Sequence, residues 1–171
     1  MLQPNADALS LSHRALRILI AVNWLFGAAI LGMLIWTFVA AEFVARALRV
    51  DDSPRVLLGM RLIMVMGVAA TPIGNALLSR MLRIVETVRA GDPFVTENAS
   101  RLQTIAWSVL ALELGRLVVV GIANSVSTAA RPIHIDLNLS VTPWLAVLLL
   151  FVLARVFDHG ARMREDLAGT V

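Results

Sequence analysis

Glu113 and Arg116 stand three residues apart inside a stretch, Leu102 to Val126, that carries no other charge. An ionisable side chain at the centre of a membrane helix costs at least ~2.5–3.5 kcal/mol on insertion scales, so both positions ask for a reason. Residues i and i+3 share a helical face, where a carboxylate and a guanidinium can neutralise each other. Counting back from Val126 at the helical rise, Arg116 lies about 15 Å deep and Glu113 about 20 Å deep. Arg61 enters from the outer end of an earlier apolar stretch, about 8 Å in, and can snorkel outward or join the pair from the side. These three could line a proton, ion or ligand pathway. The simpler reading is a structural ion pair with Arg61 hydrated. It is favoured because a transporter ordinarily shows more polar lining or broken half-helices, and only Pro72 with Gly74 offers a break here.

Other candidate chemistry is sparse. His134 and Asp136 share one face of an alternating segment, but two ligands are too few for a closed metal site, and His13 and His159 fall on the other side of the membrane. There is no cysteine, hence no disulfide, thiolate site or cysteine nucleophile. No nucleophile–base set, phosphate loop or dinucleotide fingerprint appears. The expectation is a non-enzyme with no metal and no cofactor.

The elements that must position these residues follow from composition. Of 171 residues, 58% are hydrophobic and 16% charged, and mean hydropathy is +0.80. Soluble domains run nearer roughly 45–50% apolar and about 25% charged. All 15 basic residues are arginine, which lifts the isoelectric point to 11.2 while net charge stays at +3, so direct nucleic-acid binding is not implied. A bilayer core of roughly 30 Å needs about 20 apolar residues. Four stretches qualify: 18–41, 56–79, 102–126 and 141–157. Arg14 and Arg17 before the first resemble a signal peptide, but the apolar run is too long for one.

The expected fold is an all-α membrane protein, one domain over 1–171, built as a four-transmembrane-helix bundle. Nine arginines flank one side (Arg14, Arg17, Arg80, Arg83, Arg89, Arg101, Arg155, Arg162, Arg164) and four the other (Arg46, Arg49, Arg55, Arg131). By the positive-inside rule the first side, with both termini, is cytoplasmic. Trp36 and Trp144 then fall near the outer interface and Trp107 near the inner one. Small pairs at i,i+4 (Ala28 and Gly32, Gly67 and Thr71, Ala111 and Gly115) are candidates for close helix packing, and membership in a homo-oligomer stays open.

Outside the spans, Leu78, Met81, Leu82, Val85 and Val88 continue the second helix as an apolar stripe. Gly91 is its expected stop, Asp92-Pro93 the cap and first turn of the next helix, and that third helix is expected to begin near Thr96 to Asn98. Val156, Gly160, Met163 and Leu167 extend the fourth helix, with Asp158/Arg162 and Arg162/Asp166 at i,i+4. Ile133 to Val141 alternates strictly, which predicts a short extracytoplasmic strand between helices 3 and 4.

Two blocks carry a likeness. One is Gly91-Asp92-Pro93-Phe94-Val95 with Asn98-Ala99, Arg101-Leu102 and Ile105-Ala106-Trp107. The other is Phe151 to Phe157 followed by Gly160 to Val171. Together they resemble the bacterial four-span membrane family known as domain of unknown function 2975. The likeness covers most of the chain from the second span onward, with Ala168 where the family's tail has glutamate. Members are commonly encoded beside a small helix-turn-helix DNA-binding protein. The resemblance therefore implies an inner-membrane protein that restrains or signals to such a regulator, and it transfers no catalytic residue. The expected contact residues are Asp92, Pro93, Phe94, Asn98 and Arg101 in the middle loop, with Arg162, Arg164, Glu165 and Asp166 in the tail. A small oligomeric transporter built on Arg61, Glu113 and Arg116 is the alternative.

Overall fold

The computed structural model describes residues 4–40, 42, 43, 46, 53–126 and 140–168, with side chains in the helices from Leu9 to Arg164. Four helices follow in chain order: α1 (Pro4–Val39), α2 (Pro54–Arg89), α3 (Thr96–Val126) and α4 (Val141–Ala168). At 1.5 Å per residue they are about 54, 54, 46 and 42 Å long. Each exceeds a hydrocarbon core of roughly 30 Å, and each is apolar enough to cross a membrane. The chain is a multi-pass helical membrane protein. The expected overruns of the second and fourth spans are present, and so is the start at Thr96. An overrun of α1 back to Pro4 is present too; an apolar count that begins at Ile18 misses it. Its proline sits in the first turn, where the missing N–H goes unused.

Of the expected strand, 133–141, residues 133–139 lie outside the described residues. Val141, its last member, instead opens α4, and no strand occurs among the described residues.

Among the described residues the bundle is laid out as a row, α1 on α2, α2 on α3 and α3 on α4, with α2 and α3 in its middle. Lipid is as apolar as leucine, so the seams close through small residues and polar links rather than hydrophobic burial. Between α1 and α2, Asn23 Nδ2 donates to the Thr71 carbonyl (3.0 Å) and Trp24 Nε1 to Asn75 Oδ1 (3.2 Å). Thr71 sits against Gly27, where a Cβ would lie 2.5 Å from its methyl and hydroxyl. Between α2 and α3, a Cβ on Gly59 would lie 2.5 Å from Val126 Cγ1. Of the expected small pairs, Gly67 lies against Ile30 and Gly115 against Met66. Gly32 has nothing within 4 Å, so the Ala28/Gly32 pair is not a packing contact in this row.

Along α3 and α4, Trp107 meets Phe151 edge-on, with ring centroids 5.4 Å apart. The two helices run in opposite senses.

Candidate functional site

The first family-like block is a turn that ties three helices together. Gly91 holds φ +82°, a left-handed conformation cheap only for glycine. Its N–H donates to the Val88 carbonyl (3.1 Å) and that of Asp92 to the Thr87 carbonyl (3.0 Å). These paired bonds are the Schellman ending of a helix, satisfying two carbonyls at the end of α2. Asp92 and Pro93 therefore belong to the end of α2 and the connecting loop, not to the first turn of α3 as the sequence suggested. The proline, which has no N–H to give a helix, suits the irregular segment 92–95.

Asn98 on α3 is 0% exposed and holds the turn closed. Its amide donates to Thr87 Oγ1 and to the Pro93 carbonyl, both at 2.8 Å, and Arg101 Nη1 donates to its Oδ1 at 2.8 Å. Arg101 also reaches the Arg83 carbonyl at 3.5 Å. Asn98 thus has no surface to offer a partner. It is the polar knot between α2, the loop and α3.

The tail of α4 completes the cluster. Gly160 lets the Phe94 ring lie on the α4 backbone (a Cβ there would meet Phe94 Cδ1 at 3.1 Å), and Phe94 packs on Phe157 with centroids 5.3 Å apart. Ala161 is buried beneath. Asp92 and Arg164, 72 residues apart, form an exposed ion pair across the loop and tail. Asp158 and Arg162 pair along α4 at 2.9 Å, while the side chains of Glu165 and Asp166 lie outside the described residues. On the far side of the row, His13 Nε2 of α1 lies 3.3 Å from Glu86 Oε1 of α2. The start of α1 and the end of α4 therefore share one end with the middle loop. A cleft of about 280 Å³ opens there, lined by Asp92, Phe94, Glu97, Ala161 and Arg164 among others, and Phe94 stays 46% exposed at its rim.

The intramembrane residues divide into two places. Arg116 forks onto Glu113, Nε to Oε2 at 2.9 Å and Nη2 to Oε1 at 2.7 Å, a bidentate charge-assisted pair. Glu113 is buried at 7% exposure. Arg116 also forms part of the wall of a cavity of about 460 Å³ lined otherwise by apolar and small residues, Ile30, Met66, Gly67 and Val119 among them. Arg61 does not join them. Its Nη2 donates to the Thr37 carbonyl (2.7 Å), its Nε to Thr37 Oγ1 (3.2 Å), and its guanidinium lies 4.3 Å over Phe38. A cation on the last carbonyls of α1 complements the helix dipole, so Arg61 is a cap. Glu113→Leu removes the carboxylate that accepts two bonds from Arg116 and should lower the yield of folded protein in detergent. Glu113→Leu with Arg116→Leu should restore it, since a buried pair is costly to halve but not to replace. If the double variant is as damaged as the single one, charge compensation is not what the pair supplies.

Sequence reasoning missed the α1–α2 links. A lone amide inside the first span, Asn23, was their signal, since an unpaired amide in lipid seeks a partner. Among the described residues no three His, Asp or Glu side chains converge as metal ligands; His134 and Asp136 lie outside them.

No curated protein and no solved structure matches the chain. A family model matches residues 62–171, which takes in the intramembrane pair, the Gly91–Asn98 turn and the α4 tail it clamps. The chain belongs to the family described as Protein of unknown function (DUF2975).

Proposed function

We propose that the chain is a bacterial inner-membrane protein that holds a small helix-turn-helix DNA-binding regulator at the end where α1 starts and α4 stops. The arginine imbalance supports placing that end in the cytoplasm. The observation that carries the reading is the cleft between loop and tail. A half-exposed aromatic, Phe94, is ringed there by charges of both signs, Asp92, Glu97 and Arg164. An apolar anchor beside charges that set register is the common anatomy of a protein contact. Arg162 extends the charged rim, whereas Asn98, Pro93 and Arg101 support it from beneath. The side chains of Glu165 and Asp166 are further members of the proposed contact.

Phe94→Ala or Arg164→Glu should release the soluble partner while the protein still inserts. Adding Asp92→Arg to Arg164→Glu rebuilds the clamp with its charges reversed and should not restore the partner. If the swap restored it fully, the pair would serve folding alone. If Phe94→Ala and Arg164→Glu both kept every partner of the wild type, the contact lies elsewhere.

A solute or ion pathway is the second reading, favoured by the cavity beside Arg116. It predicts that Glu113→Gln abolishes a flux in reconstituted vesicles. The capping role of Arg61 takes it out of this pathway, which then rests on Glu113 and Arg116 among the described residues.

A further inference from the structure

Arginines from all four helices flank the row at one level. Arg101 reaches the carbonyl of Arg83. The His13–Glu86 contact sets α1 against α2, so Arg17 lies level with Leu82, next to Arg80. The Trp107–Phe151 contact sets α4 against α3, so Arg155 lies level with Gln103. Such a band marks where helices leave hydrocarbon for headgroups.

At this level a groove of about 520 Å³ runs between α3 and α4, lined by Ala99, Gln103, Phe151, Ala154, Arg155 and Asp158 among others. Its floor is apolar: Ala99 and Ala154 are buried and Phe151 continues it downward. Ser100, Gln103 and Trp107 share one face of α3, and Phe151, Arg155 and Asp158 share one face of α4, each set at helical spacing. Trp107 is 58% exposed at the lower end, edge-on to Phe151. Among the described residues neither the Arg155 guanidinium nor the Gln103 amide has a side-chain partner. The carboxylate in the groove, Asp158, is already neutralised by Arg162 at 2.9 Å.

We propose that this groove binds one anionic phospholipid, with its phosphate on Arg155 and Gln103 and one acyl chain along Trp107 and Phe151. The charge pattern selects the ligand. An unpaired guanidinium beside a compensated carboxylate favours net negative charge and disfavours a second cation, such as a choline headgroup. A soluble peptide fits less well, because the apolar floor descends below the arginine band to the depth of Trp107. Arginine binds phosphate through charge-assisted, often bidentate hydrogen bonds.

The test uses full-length protein in nanodiscs of equal phosphatidylglycerol and phosphatidylcholine, released into native mass spectrometry. The wild type should retain one phosphatidylglycerol in preference to phosphatidylcholine. Arg155→Gln should weaken that retention about tenfold, the effect of losing one charge-assisted contact. Arg17→Gln removes the same charge from the same band at the far edge of the row and should leave retention unchanged. Arg155 is exposed and unpartnered, so its replacement leaves the helices packed. Equal retention of the two lipids, or equal loss in the two variants, would overturn the site.

Discussion

Asn98→Ala lowers the unfolding free energy in detergent micelles by about 2–4 kcal/mol, the range for breaking a buried hydrogen-bond network. The side chain has no exposed surface and makes three bonds at 2.8 Å. Alanine leaves the Pro93 carbonyl and the Thr87 hydroxyl without their donor and frees the Arg101 guanidinium. It also opens a void under the loop. The loss is large because the knot joins the ends of two helices, at Thr87 of α2 and Arg101 of α3, to the Pro93 carbonyl of the loop between them. Ser100→Ala, two positions away and exposed, should stay within about 0.5 kcal/mol. Denaturant titration of the two variants separates the knot from a general effect of alanine. A loss below about 1 kcal/mol for Asn98→Ala would mean that the turn holds without it.

Gly27→Leu should cost about 3 kcal/mol, at the upper end of the overpacking range. A first side-chain carbon at position 27 would already stand 2.5 Å from Thr71, and the leucine branch has no room beyond it. Thr71 cannot withdraw easily, because its hydroxyl donates to the Gly67 carbonyl (3.2 Å) and its carbonyl receives Asn23. Among the described residues α1 has a substantial seam only with α2, so displacing it there loosens its hold on the bundle. Gly32→Leu on the same helix has open space around it and should be close to neutral. Equal damage from the two substitutions would contradict the seam.

Much of this is legible in the residues. Apolar run lengths fix four helices because hydrocarbon admits few alternatives for an unpaired backbone. Gly91 announces the end of α2, since a left-handed stop needs glycine. The spacing of Glu113 and Arg116 announces their pairing, which is local to one helix. Long-range partners are not legible. Nothing in local spacing connects Asp92 to Arg164, or Arg61 to the carbonyl of Thr37, because such contacts depend on how the helices are ordered and staggered. Its place in a motif marks Asn98 as a contact residue, and its burial reverses that role. A residue in a signature is as often there to hold a turn as to meet a partner. The order of the seams is equally invisible, since four apolar helices read alike however they neighbour one another.

The most direct test of the docking reading is site-specific photo-cross-linking in native membranes from position 163. Met163 lies on α4 next to Arg162 and Arg164 and is 62% exposed. A photoreactive residue there should capture a small DNA-binding protein, identified by mass spectrometry. The same residue placed at Val141, at the other end of α4 and equally exposed to its surroundings, should not capture it. Capture of that protein from position 163 alone is what the docking reading predicts. Cross-links only to other membrane subunits or to a second copy of the chain, or equal capture from both positions, would contradict it.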